Sequence, residues 1–183
     1  MNFWQGRKVR LRGVEPSDAE AFSRWNLDSG MARDLDFVWP PVSRAQVAKE
    51  VSELSLRKLE DDGFAFVIED AAGAVVGLIR TFRCEPHAGT FRYGINVAAE
   101  HRRLGYAGEA VLLVLKYYFA ELRYQKCNVG VHDDNAASIA LHERLGFMRE
   151  GTLRRAGFSG GQHLDIHMYG ITREEWEQSP HEL

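Results

Sequence analysis

Cysteine is scarce in this chain of 183 residues: Cys84 and Cys127 are the only two. Both lie in apolar, strand-like stretches, which argues against a disulfide framework and predicts two buried, reduced thiols. Long apolar runs are also missing. Nowhere do about 18 apolar residues follow one another, the length a membrane-spanning helix needs. The start, Met1-Asn2-Phe3-Trp4-Gln5-Gly6-Arg7-Lys8, has no continuous apolar segment of the kind a secretory leader carries. A cytoplasmic protein is expected. Neither sign of charge dominates: the net charge is −3 with no basic run, so bulk attraction to nucleic acid is not expected. Gly-Lys-Ser/Thr is absent, which excludes a P-loop, and the three-glycine dinucleotide fingerprint is not met. Repeats, low-complexity tracts and interdomain linkers are lacking too. Hydrophobic residues, in contrast, make up 45% of the chain, enough for a full core in one domain over residues 1–183.

Periodicity and turn residues predict strands at 8–12, 64–69, 75–82, 90–97, 126–132, 147–153 and 164–171. A helix opens at Ser17 or Asp18 and runs through Ala21, Phe22 and Trp25. A second is capped by Ser43 and extends to about Leu59 on a stripe of Val47, Val51, Leu54 and Leu59. The stretch 30–42, rich in Asp, Trp and Pro, reads as a loop, and the Gly-rich stretch 157–161 as the connection between the last two strands.

Two segments carry the chemistry. The first, Arg102-Arg103-Leu104-Gly105-Tyr106-Ala107-Gly108, follows the strand 90–97 and opens an apolar helix over 105–122. Ala107, Ala110, Val111, Val114, Leu115, Tyr118 and Leu122 form one broad face that anchors this helix in the core and makes its N-terminus rigid. Unpaired N–H groups of residues 104–108, the helix dipole and two arginines make an anion seat, with Gly105 and Gly108 leaving the backbone approachable. The second segment runs from Asn135 to Gly146-Phe147. Asn135, Ser138 and His142 are spaced three and four apart, on neighbouring turns of one helix face, and Asn135 also suits the N-cap.

Together the two segments resemble the cofactor motifs of the GCN5-related N-acetyltransferases: the Arg/Gln-x-x-Gly-x-Gly/Ala loop, and the Asn-x-x-Ser/Ala-x-x-x-Tyr-x-x-x-Gly-Phe helix with His142 in the Tyr slot. Gly6 to Arg12 with Asp18-Ala19-Glu20, and Glu150 to Arg154 with Gly161 to Asp165, are similar to the RimJ/RimL-like branch. The resemblance implies an α/β (α+β) acyl-CoA transferase fold. Its central mixed, mostly antiparallel sheet of about seven strands is flanked by helices, and a parallel, splayed strand pair holds the cofactor. It further implies that acetyl-CoA donates an acetyl group directly to a primary amine, a small molecule or a protein N-terminus, without a metal. The pyrophosphate would sit on residues 102–108. Pantetheine would pair with backbone near Ile95 and Val97, and would meet Asn135 and Ser138. The N–H of Val97 or a neighbour would stabilise the oxyanion. A homodimer is compatible with the family. A catalytically silent CoA-binding module is the competing reading, motivated by His142 and by Arg92, which replaces a Glu common in that branch.

His142 is either the acid that protonates the departing thiolate, whose conjugate acid titrates near 8.5, or a helix-surface residue without a chemical role. The base that frees the amine is open among Asp34, Asp36, Glu85, His132 and solvent. In this family the loop holding Asp34, Asp36, Phe37 and Trp39 borders the acceptor site, so its two carboxylates predict a cationic acceptor. His163, Asp165 and His167 share one strand face, which a half-buried strand explains better than a metal site does.

Overall fold

A computed structural model describes residues 2–35, 37–58 and 61–179. The elements are β1 (Val9–Arg12), a 3-10 turn (Pro16–Asp18), α1 (Ala19–Trp25), α2 (Ser29–Leu35), α3 (Arg44–Ser55), β2 (Ala65–Asp70), β3 (Val75–Glu85) and β4 (Thr90–Val97). They continue with α4 (Tyr106–Ala120), β5 (Lys126–His132), α5 (Ala136–Arg144), β6 (Met148–Ser159), β7 (Gln162–Thr172) and α6 (Arg173–Gln178). Seven strands form one sheet in the order β1-β2-β3-β4-β5-β7-β6. Every neighbouring pair is antiparallel except β4 and β5, which run parallel.

Strand alternation sends successive side chains to opposite faces, and each face has its own core. Ile68, Ile79, Phe91 and Tyr93 pack with the α4 residues Val111, Val114, Leu115, Tyr118 and Phe119. Val67, next to Ile68, instead joins Val47 and Val51 of α3 on the other face. Helix α4 is nearly enclosed, because Ala110 through Leu115 are all buried. Phe91 stacks on Tyr118 at 3.9 Å between ring centroids, fixing β4 against α4. Emptying a site such as Phe119, fully buried here, typically costs about 3–5 kcal/mol.

The β4–β5 pair positions the site. Their pairing covers only Thr90↔Lys126, Phe91↔Cys127 and Arg92↔Asn128. Beyond it, β4 stays with β3 as far as Gly77↔Val97, and β5 stays with β7 as far as His132↔Ile166. Each strand thus follows its outer neighbour, and the two diverge into a wedge.

Several expectations need correction. The stretch 30–42 is not all loop: α2 occupies its first part, started by the Asp28 carboxylate accepting from the Met31 N–H at 3.0 Å and held by burial of Met31. Helix α3 keeps its Ser43 cap, whose hydroxyl accepts from Gln46 N–H at 3.1 Å, but ends at Ser55, and Leu59 lies outside the described residues. Strands β6 and β7 extend well into 157–161, so that only Gly160-Gly161, both with positive φ, turn the chain. Helix α6 was not anticipated, although Thr172 and Glu175 form a capping box legible in the sequence. Cys84 and Cys127 are free thiols, the first half-buried and the second buried. Among the described residues, no helix is long and apolar enough to cross a membrane.

Candidate active site

The N-terminus of α4 is uncapped by any side chain, and Gly105 precedes it at φ 87°. The N–H groups of Tyr106, Ala107 and Gly108 have no helical partner by their position. A Cβ at Gly105 would stand 2.7 Å from Lys8 Nζ, and Lys8 Nζ donates to the Leu104 carbonyl at 3.0 Å. A lysine is thereby held at the rim of the turn. Gly108 has a different job: it is buried, and a Cβ there would face Leu141 of α5 at 3.7 Å, so its small size serves helix packing. Glu109 keeps the turn in register with β1. Its buried carboxylate accepts from the N–H groups of Arg7, Lys8 and Val9 at 2.9, 2.7 and 2.7 Å. An acid in the first turn of a largely apolar helix was the overlooked signal for this anchor. Arg103 lies in the left-handed region at φ 64° and is exposed. Arg102 turns back from the rim, donating from Nε to the Val97 carbonyl at 3.1 Å and pairing with Asp34 at 2.9 Å.

The edge of β4 lines the wedge with backbone groups. Ala98 N–H bonds the Val76 carbonyl at 2.9 Å, on the β3 side. Because backbone groups alternate along a strand, those of Tyr93, Ile95 and Val97 face the β5 side, where no strand pairs with them among the described residues. A cleft of about 410 Å³ opens there, lined among others by Arg92, Tyr93, Val129, His132, Asn135 and Ser138.

Asn135 is the N-cap of α5, its side-chain oxygen accepting from the Ser138 N–H at 3.0 Å. Its amide nitrogen donates to the Asp34 carbonyl at 3.2 Å. The last turn of α2 therefore reaches both motif segments, through the Asp34 carboxylate to Arg102 and through its carbonyl to Asn135. Helix α2 is in turn seated on β4, where the Asn96 amide meets the sulfur of buried Met31 at 3.2 Å.

His142 is buried, not a surface residue. Nδ1 lies 2.7 Å from the Ser138 carbonyl oxygen, which only accepts, so Nδ1 carries the hydrogen. Nε2 then accepts from the Tyr93 hydroxyl at 2.8 Å. Burial pushes the His142 pKa below its ordinary value, against the opposing pull of the Ser138 carbonyl. Burial also pushes the Tyr93 phenol well up. At neutral pH the pair is a neutral imidazole accepting from a phenol. Tyr93 was not singled out in the sequence; its signal was a polar aromatic in the core-facing register of a strand that borders the wedge.

Of the residues expected at the acceptor site, the Asp34 carboxylate is already paired with Arg102, Asp36 lies outside the described residues, and Trp39 is 65% exposed, with its ring 4.2 Å from that of Phe37. Glu85 is exposed at the end of β3, away from the cleft lining. His132 lines the cleft, and a Cβ at Gly157 would come within 3.1 Å of its ring. Asp165 accepts from the Arg155 N–H at 2.8 Å, and His167 is bridged to Arg149 at 3.0 Å, so these two serve the β6–β7 hairpin.

Comparison with known proteins agrees with this geometry. The family profile described as "Acetyltransferase (GNAT) domain" matches residues 8–148. The SPbeta prophage-derived uncharacterized N-acetyltransferase YokL of Bacillus subtilis (strain 168) is 39% identical over 177 residues, 97% of each chain. Spermidine N(1)-acetyltransferase of Vibrio cholerae is 27% identical over 128 residues, 69% of this chain and 74% of the relative. The crystal structure of spermidine N-acetyltransferase from Vibrio cholerae in complex with CoA and spermine superimposes with a TM-score of 0.82 at 21% identity, covering 94% of this chain and all of the other. The chain belongs to the GNAT acetyltransferase family, and it is an N-acetyltransferase.

Proposed function

We propose that residues 1–183 form a single RimJ/RimL-like domain that transfers the acetyl group of acetyl-CoA directly to a primary amine. The observation that carries this reading is the splayed β4–β5 pair leading to an uncapped helix N-terminus. One element offers unpaired strand backbone for an extended amide-bearing chain, and the other offers N–H groups and a helix dipole for its diphosphate. The backbone edge at Ile95 and the N–H of Val97 hold pantetheine, the Val97 carbonyl being taken by Arg102. The turn 102–108 holds the pyrophosphate with Lys8 at its rim, while Asn135 and Ser138 line the opposite wall.

Acetyl-CoA supplies a thioester. Attack by the neutral amine forms the C–N bond, the neighbouring Ile95 N–H on the same β4 edge stabilises the charge that develops on the carbonyl oxygen, and collapse breaks the C–S bond. The nitrogen loses one proton and the sulfur gains one. The Tyr93 hydroxyl relays the proton in one concerted step, taking the one released from nitrogen as it gives its own to the sulfur, so that no phenolate stands beside the neutral His142. His142, neutral and locked by Ser138, holds the phenol in place through Nε2. His142 is thus a positioning residue, and the acid in contact with the reacting atoms is Tyr93.

The named Vibrio cholerae relative acts on spermidine, which supports a small-molecule amine as acceptor here. Thiol release from acetyl-CoA with a panel of primary amines tests the proposal. Turnover on at least one amine, with an N-acetylated product in the mass spectrum, is the expected result. Saturable acetyl-CoA binding without turnover on any acceptor would make the chain a silent member of its family.

A further inference from the structure

The acceptor face of the sheet carries three arginines with no ion-pair partner among the described residues. In the β3–β4 register, Phe82 lies opposite Arg92 and Arg80 opposite Gly94. Arg80 and Arg92 are therefore diagonal neighbours on one face, with backbones about 7–8 Å apart, and Gly94 between them leaves the floor open. The third, Arg83, sits in the β3 bulge at φ 47°. It lines both the wedge cleft and the adjoining cavity of about 1260 Å³ between this face and α1–α3, which Arg80 also lines, while Arg92 lines the cleft. None of the three has an ion pair among the described residues.

Three of the four acids among the described residues that line these two cavities have a cationic neighbour, and the fourth, Glu50, has a neutral one. Asp34 pairs with Arg102 at 2.9 Å and Asp61 with Arg57 at 2.9 Å. Glu53 lies 3.8 Å from Lys49, and Glu50 accepts from the Gln46 amide at 2.8 Å. Among the described residues, three unpaired arginines stand against the one acid, Glu50, that has no cationic partner, so the balance of these two cavities is positive.

Resting on the transferase reading above, we propose that the acceptor is an amine that also carries an anionic oxyacid group, a carboxylate or a phosphate, held by Arg80, Arg83 and Arg92. Planar guanidinium groups suit this chemistry, since each presents paired N–H donors to two oxygens. A purely cationic polyamine would instead meet like charge on the floor of the site.

The test measures kcat/KM by thiol release for matched pairs: arginine with agmatine, lysine with cadaverine, O-phosphoethanolamine with ethanolamine. The anionic member should be preferred at least about tenfold in one or more pairs, and the carboxylate and phosphate pairs tell the two groups apart. For the preferred acceptor, Arg80→Gln and Arg92→Gln should each raise KM by about tenfold, with kcat and the acetyl-CoA KM close to wild type. A preference below that in every pair, or an acceptor KM unmoved by both substitutions, overturns the proposal while leaving an active transferase. Binding of acetyl-CoA with no turnover on any amine refutes the transferase reading, and this one with it.

Discussion

The Tyr93 hydroxyl donates to His142 Nε2 at 2.8 Å, while the other ring nitrogen of His142 donates to the Ser138 carbonyl at 2.7 Å. A histidine in this state has no proton to give from Nε2, and its donor sits on β4 at the wedge. Tyr93→Phe should therefore lower kcat by about 10²-fold, the usual contribution of a positioned acid, with the acetyl-CoA KM nearly unchanged. His142→Gln, whose side-chain oxygen can accept from the phenol, should retain more activity than His142→Phe. Steady-state kinetics of the three variants checks this. A Tyr93→Phe enzyme as fast as wild type, with chemistry rate-limiting, would remove the phenol from the reaction.

The same pair makes folding sensitive to pH. Burial holds the folded His142 pKa below its ordinary value, whereas in the unfolded chain the ring takes up a proton near pH 6.5. Between the two values the unfolded state binds more protons, so stability falls as pH drops from about 6.5 toward the folded pKa. Above that window His142 contributes no slope. Chemical denaturation across this range should show a shallower acid limb in His142→Gln than in wild type, and parallel limbs would contradict the assignment.

Two glycines of the α4 turn should part company. Gly105 has φ 87° and Lys8 Nζ at its Cβ position, so Gly105→Ala strains the turn by about 1–2 kcal/mol. Because the strained segment is the anion seat, acetyl-CoA affinity should weaken at least about tenfold. Gly108→Ala meets only ordinary contact with Leu141 at 3.7 Å and should leave affinity within a few-fold. Calorimetric titration of both variants decides the point, and equal affinities would separate the turn from the cofactor.

Glu109 predicts a structural effect at the same place. Its carboxylate accepts three backbone N–H bonds, and Glu109→Gln replaces one accepting oxygen with a donor facing other donors. A stability loss of about 1.5–3 kcal/mol is expected from denaturant unfolding. The Asp34–Arg102 pair, with both side chains nearly half exposed, should behave oppositely. Asp34→Asn should cost under about 1 kcal/mol, and the difference should vanish near 1 M salt, where the screening length is about 3 Å.

The features with a local physical cause were legible in the sequence. The seven strands, the Ser43 and Asn135 caps and the Gly105 entry to α4 follow from alternation, cap chemistry and a residue tolerant of positive φ. Helix α2 escaped because its start carries glycine and its hold on the fold comes from burial of Met31 against β4, a contact between distant segments. The site residues divide in the same way. A helical spacing puts Ser138 and His142 on one face, but no spacing reveals that Tyr93, 49 residues away on a strand, donates its hydroxyl hydrogen bond to Nε2. Likewise, Asp34 read alone is a free carboxylate. Only the fold brings Arg102 to it and leaves Arg80, Arg83 and Arg92 without an ion pair among the described residues.

The most direct test of the central claim is a crystal structure of the protein with acetyl-CoA bound. The diphosphate should lie on the N–H groups of residues 105–108, and the pantetheine arm should run along the β4 edge from Val97 toward Tyr93, between β4 and β5, with the thioester at its far end, the carbonyl at a β4 N–H and the sulfur within reach of the Tyr93 hydroxyl. A cofactor bound elsewhere, with the β4 edge and the α4 N-terminus unoccupied, would contradict it.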